Sequence, residues 1–144
     1  MFIGEYKHTI DAKKRLAIPV KFRKELGGKA VLTRGLDGCL FLFPQKEWEQ
    51  LAEKLGRLPF GQQDSRSFVR LLLAGASEVE FDQLGRVLIP DFLKDYADLK
   101  KEVIIAGLFN KLEVWDEMRW SSYKANLEKN SDRIAEKLGE LGII

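Results

Sequence analysis

The sequence predicts an α+β fold made of two tandem copies of one small strand-rich unit, with helices flanking them. Three observations carry this. A motif and its surroundings recur about 71 residues apart, each copy alternates apolar and polar residues at the strand period, and each closes on a stripe at the helix period. Asp11-Ala12-Lys13-Lys14-Arg15-Leu16-Ala17-Ile18-Pro19 returns as Asp82-Gln83-Leu84-Gly85-Arg86-Val87-Leu88-Ile89-Pro90, a shift of 71 that also places Gly4 over Gly75. After one inserted residue, a shift of 72 aligns Val31 with Val103, Gly35 with Gly107, Leu40 with Leu112, Trp48 with Trp120 and Leu55 with Leu127.

In the first copy, Glu5 to Ile10 alternates, with Tyr6, His8 and Ile10 inward and Glu5, Lys7 and Thr9 outward. Its counterpart turns Val79 and Phe81 inward and Glu78 and Glu80 outward. The Asp-x-x-x-Arg segment reads as a turn, because an aspartate accepts hydrogen bonds from backbone N–H groups just ahead of it. A second strand follows over 15–18, with Leu16 and Ile18 buried and Arg15 opposite. Pro19 and Pro90 suit the first turn of a short helix, where the missing N–H costs nothing. Phe22 and Leu26 give that helix its inner face, and Gly27-Gly28 ends it. Strands over 30–34 and 39–43 flank a Gly35–Gly38 turn, and the second copy uses 103–106 and 111–115 around a turn at 107–110. Closing helices carry Trp48, Leu51 and Leu55, then Trp120, Tyr123 and Leu127. Between the copies, 59–63 reads as a loop and 65–74 as a helix with Phe68, Leu71 and Leu72 on one face. The divisions are 5–47 for the first repeat, 48–75 for a helical linker, 76–119 for the second repeat and 120–144 for a C-terminal helix whose end Gly139 and Gly142 weaken. A unit of this size is too small to bury a core alone, so the two should share one sheet system.

Composition narrows the function classes. At 144 residues, with 45% hydrophobic and 32% charged residues, the chain holds enough apolar surface to exclude disorder. Its apolar runs are too short to span a bilayer, and Glu5, Lys7, His8 and Asp11 break any signal-like start. The single Cys39, inside an apolar run, suits a reducing cytoplasm. The net charge of +2 is a cancellation: residues 1–72 carry +6 and residues 73–144 carry −4. Such asymmetry is a mark of polyanion binding, against a default of solvated surface.

The catalytic inventory is nearly empty, so no enzyme, cofactor, metal or small-molecule substrate is expected. One histidine, His8, points into the core, and Cys39 sits in a buried strand. Glu78, Glu80 and Asp82 lie on one strand face and could take a hard cation, but such rows more often face solvent. What remains is basic. Lys13, Lys14 and Arg15 cluster at the first hairpin tip, with Lys7 and Thr9 on the face leading to it and Lys21, Arg23, Lys24 and Lys29 nearby. A rigid strand-turn-strand with cations at its tip can enter a DNA major groove, lysines on phosphates and an arginine forked onto guanine. On local spacing alone, an Asp11–Arg15 pair across the turn with solvated lysines is the somewhat better-supported reading.

These residues resemble the MraZ proteins, tandem members of the SpoVT/AbrB-like superfamily. The resemblance rests on Asp11–Arg15 and Asp82–Arg86, on the opening Met1-Phe2-Ile3-Gly4, on Arg70 to Gly75, and on the Ile-Pro and Trp positions, and it covers essentially the whole chain. It implies bacterial origin and a swapped-hairpin β-barrel, an intrachain pseudo-dimer in which each repeat donates a hairpin to the other. It implies a cytoplasmic, nucleoid-associated regulator that binds short direct repeats in double-stranded promoter DNA of the division and cell-wall gene cluster, its own gene included. It also implies a ring-shaped homo-oligomer, typically octameric. Arg15 is the first candidate for base contact, with Lys13, Lys14, Lys7 and Thr9 around it. Arg86 either reaches DNA or is held by Asp82, and Asp11, Asp82, Pro19 and Pro90 are structural members of the motif. Lys7, Lys13 and Lys14 become Glu78, Leu84 and Gly85 in the second copy, so the first hairpin is expected on DNA and the second against protein. The reading from another class is a protein-interaction or assembly module of the AbrB-like antitoxin or scaffold type, which needs an unstructured partner-binding tail.

Overall fold

In the computed structural model, which describes residues 1–144, the first strand finds its partner in the other repeat. Strand β1 (Phe2–Thr9) runs antiparallel to β7 (Glu102–Phe109), from Phe2 opposite Phe109 to Thr9 opposite Glu102. Its counterpart β5 (Ser77–Glu80) runs antiparallel to β3 (Lys29–Arg34) of the first repeat. The next strands, β2 (Arg15–Ala17) and β6 (Arg86–Leu88), pair with each other, Leu16 opposite Val87. Backbone N–H donations extend that ribbon from Ile18 to Gly85 O (3.0 Å) and from Ile89 to Lys14 O (2.8 Å). With β4 (Leu40–Pro44) beside β3, and β8 (Lys111–Asp116) joining β4 to β7, the sheet has six strands in the order β1-β7-β8-β4-β3-β5.

The fold is therefore α+β with tandem repeats, as expected, but the strands do not close into a barrel. The large sheet ends at β1 and β5, and the three-residue strands β2 and β6 form a separate ribbon linked to it by the isolated bridge Ile10–Leu16. Helix α1 (Val20–Leu26) follows Pro19, which sits just before the first helical residue, and Gly27 ends it at φ +74°. Helix α4 (Asp91–Tyr96) follows Pro90 in the same way.

Both units contribute to one core. The main core holds 20 buried residues, ten from each repeat, among them Phe2, Leu16, Phe22, Leu32, Val87, Leu93 and Ile105. The opposite face of the sheet buries Cys39, Phe41, Phe43, Ile104 and Trp115 against helices α2 (Gln45–Gly56), α3 (Gln63–Val69) and α5 (Glu117–Lys129). Strands covered on both faces read as unbroken apolar runs, which is why 39–43 and 103–106 lack alternation. The linker helix expected over 65–74 begins at Gln63 and widens into a π-helical turn, Arg70–Ala74. Thr33, buried in β3, donates its hydroxyl to Leu72 O in that turn (2.7 Å). The C-terminal segment, expected as one helix over 120–144, forms α5 and then α6 (Ser131–Glu140), interrupted at Asn130.

Two further expectations are corrected. The turn placed at 107–110 is strand as far as Phe109, and Gly107 serves a close approach: a Cβ there would lie 2.6 Å from Ile3 N of β1. The repeat register also slips by one in the third strand. Ala30 and Val103 both line the main core, so Val31 matches Ile104 rather than Val103.

Candidate nucleic-acid interface

Both Asp-x-x-x-Arg segments fold into the same turn. Asp11 Oδ1 accepts from the backbone N–H of Lys13 and of Arg15, each at 2.9 Å, and Asp11 Oδ2 accepts from Arg15 Nε at 2.8 Å. Asp82 repeats this with Leu84 and Arg86 N–H, both 2.9 Å, and Arg86 Nε at 2.7 Å. The hydrogen bonds favour the ionised carboxylate, so the backbone N–H of the paired arginine first, and its guanidinium second, hold both aspartates below the ordinary range. The spacing is thus explained by geometry: one oxygen closes the turn and the other fixes the arginine stem. The Asp–Arg pairing reading is realised, yet it occupies only Nε. Neither Nη of Arg15 nor of Arg86 has a hydrogen-bond partner in the protein, and the two differ in that Arg86 Nη1 lies 3.8 Å from Asp11 Oδ2.

The tips differ around that shared frame. Lys13 and Lys14 are exposed, and Lys14 adopts φ +63°, where its counterpart is Gly85 at φ +72°. A lysine in the left-handed region costs roughly 1 kcal/mol that glycine avoids. Lys14 Nζ bonds Asp91 Oδ1 on α4. Thr9 is exposed at the end of β1. Lys7 is exposed too, but its Nζ lies 2.9 Å from Glu117 Oε2 on α5, and that hydrogen bond holds its pKa above the usual lysine value. Lys7 is therefore engaged toward the helical layer rather than gathered at the tip.

A cleft of about 750 Å³ opens beside the first turn, lined by Thr9, Asp11 and Lys14 from the first repeat and by Lys94, Lys100 and Lys101 from the second. The Ile10 N–H donates to Lys101 O (2.8 Å) and locks the two walls together. Sequence reasoning missed the second-repeat lysines because they lie in the half that is acidic overall. The signal that marks them is the Lys100-Lys101 doublet, in a loop longer than its counterpart at Gly27-Gly28.

A family model described as "MraZ protein, putative antitoxin-like" matches residues 1–71 and again residues 72–139. The chain belongs to the MraZ family. It is similar to the transcriptional regulator MraZ of Halothermothrix orenii, 50% identical over 143 residues that cover 99% of this chain and 100% of the relative. The transcriptional regulator MraZ of Carboxydothermus hydrogenoformans is 52% identical over 138 residues, covering 96% of each chain. That of Acetivibrio thermocellus is 51% identical over 143 residues, covering 99% of this chain and 100% of the relative.

The remaining candidates fall outside the basic face of this MraZ-family chain. Glu78 and Glu80 are exposed along the open-edge strand β5, while Asp82 is committed to its turn. His8 is half-buried, and burial with the Arg23 charge beside it lowers its pKa. Cys39 is buried, and desolvation, with Glu113 nearby, holds the thiol protonated. No helix is long and apolar enough to cross a membrane.

Proposed function

We propose that the chain is a sequence-specific DNA-binding transcriptional regulator that reads bases with Arg15 of the first hairpin. One observation carries this reading: Asp11 fixes the stem of Arg15 while both of its Nη groups stay unpartnered beside exposed Lys13 and Lys14. A pre-oriented guanidinium fork is the donor pair that guanine O6 and N7 accept, and flanking lysines supply phosphate contacts. The names of the relatives, transcriptional regulators across nearly the whole of this chain, support the same reading. Pairing of β1 with β7, β5 with β3 and β2 with β6 supports a swapped-hairpin organisation of the repeats. The target class is short direct repeats in the promoter of its own division and cell-wall gene cluster, bound in the cytoplasm at the nucleoid. A footprint on the DNA upstream of its gene should show regularly spaced protection at moderate salt. Binding indifferent to sequence would overturn the reading.

The second hairpin serves assembly in this reading. In the second copy Leu84 and Phe92 are exposed where the first has Lys13 and Lys21, and Glu78 and Glu80 are exposed on β5. An apolar and acidic tip meeting a basic face of the next copy is a heterologous contact, which closes into a ring when the rotation allows, an octamer in this case. Reversing both charges, Glu78→Lys with Glu80→Lys, should reduce the mass in solution, and an unchanged oligomer would remove the interface. An antitoxin or scaffold module needs an unstructured partner-binding tail. The candidate segment here is helical across α5 and α6.

A further inference from the structure

We propose that the cleft between the first turn and the second repeat is a phosphate seat for the DNA backbone, built by Lys14, Lys94, Lys100 and Lys101. It rests on the DNA-binding reading and extends it to a site that crosses the repeat boundary. The fold itself supplies the control, because the duplication provides a mirror position. There Arg23 stands for Lys94 and Gly85 for Lys14, and Gly27-Gly28 stands for Lys100-Lys101.

The mirror position is filled by a side chain of the first repeat. Arg23 turns inward, its Nε donating to Ile18 O (2.7 Å), and lies so close to Gly85 that an added Cβ would meet Nε at 2.2 Å. Beside it Glu80 is paired in register with Lys29 across β5 and β3. On the first side the same register holds Thr9 opposite Glu102, and the glycine is replaced by Lys14 despite its left-handed backbone. A side chain kept at a strained position points to a use for its charge there.

Electrostatics favours an incoming anion. Lys94 and Lys101 form no ion pair within the protein. Lys14 and Lys100 pair with Asp91 and Asp98, carboxylates that are 71% and 64% exposed and held in solvent-screened contacts that a phosphodiester can displace. The one carboxylate in the wall, Asp11, is saturated by its turn and Arg15. The cleft is also open and far larger than a single phosphate ion, which suits a strand passing through it.

The test is the salt dependence of binding to a random-sequence duplex and to a duplex selected from a randomised library. Each lysine that no longer neutralises a phosphate lowers the slope of log K against log salt by about 0.9, so Lys94→Gln with Lys101→Gln should lower it by about 2 per occupied site. The preference for the selected duplex should be unchanged, Lys94→Arg with Lys101→Arg should restore the slope, and Lys29→Gln at the mirror position should leave it alone. Equal slopes for wild type and the Gln variant, with both melting alike, would overturn the proposal. Inorganic phosphate separates the sources: phosphate stabilisation that disappears in the Gln variant, with unchanged DNA slopes, would assign the cleft to a free anion and overturn the DNA seat. Should the wild type bind no duplex at any salt, the functional reading fails and takes the DNA seat with it.

Discussion

Asp11–Arg15 and Asp82–Arg86 fold into turns whose matching hydrogen bonds agree to within about 0.1 Å, yet one tip carries Lys13 and Lys14 and the other Leu84 and Gly85. The comparison separates two jobs that the motif performs in one small space. Oδ1, Oδ2, the two backbone N–H groups and Nε build the turn, and they are the same in both copies. The outward atoms, the Nη pair and the side chains at Lys13 and Leu84, lie outside that frame, while Gly85 is held to glycine by Arg23 packed against it. Both arginines hydrogen-bond only through Nε, and Arg86 Nη1 in addition lies 3.8 Å from the aspartate of the other motif.

Breaking the comparison at its root has the largest effect. Apart from the bridge Ile10–Leu16, the ladders of β1 and β2 lie with the second repeat, so residues 1–71 and 72–144 produced separately should each lack a cooperatively folded monomer. Circular dichroism and sedimentation check this, and a cooperative melt from a monomeric half would contradict the shared core. A smaller effect separates the aspartates. Asp11 faces both arginines and Asp82 only one, so Asp11→Asn should lower the melting temperature more than Asp82→Asn.

The same carboxylates give a pH signature. Their pKa values are depressed in the folded chain, so the stability they contribute is present above the ordinary aspartate value of 3.8 and is lost as pH falls through the lower folded values. The melting temperature of the wild type should therefore fall below about pH 4 more steeply than that of the double Asn variant. The smallest effect is at the tip. Lys13→Gln should weaken binding to all duplexes alike and lower the salt slope by about 1 per bound hairpin, while Leu84→Gln should leave it unchanged.

Much of the fold was legible because duplication prints its own signal. Repeated Asp-x-x-x-Arg, Ile-Pro and Trp positions place the strands, short helices and closing helices in order. The pairing partners were not legible from the residues, since β1 carries the same alternation whether it pairs with β3 or with β7. Gly107 was misread because a glycine needed for close approach looks like a glycine needed for a turn. Of the candidate site, the tip residues were found because they are consecutive. Lys94, Lys100 and Lys101 were hidden by distance along the chain and by an acidic average around them. The unpartnered state of Arg15 Nη was beyond sequence, as composition does not say which atoms a side chain has left over.

The division of labour between the hairpins is tested most directly by the binding preference for a selected over a random duplex in Arg15→Ala and Arg86→Ala proteins of equal fold. Removing one forked arginine–guanine pairing costs about 1–3 kcal/mol of discrimination per site. Arg15→Ala should therefore bind both duplexes alike, while Arg86→Ala should keep the preference and melt earlier. The reverse pattern, discrimination abolished without Arg86 and kept without Arg15, would contradict the assignment of base reading to the first hairpin.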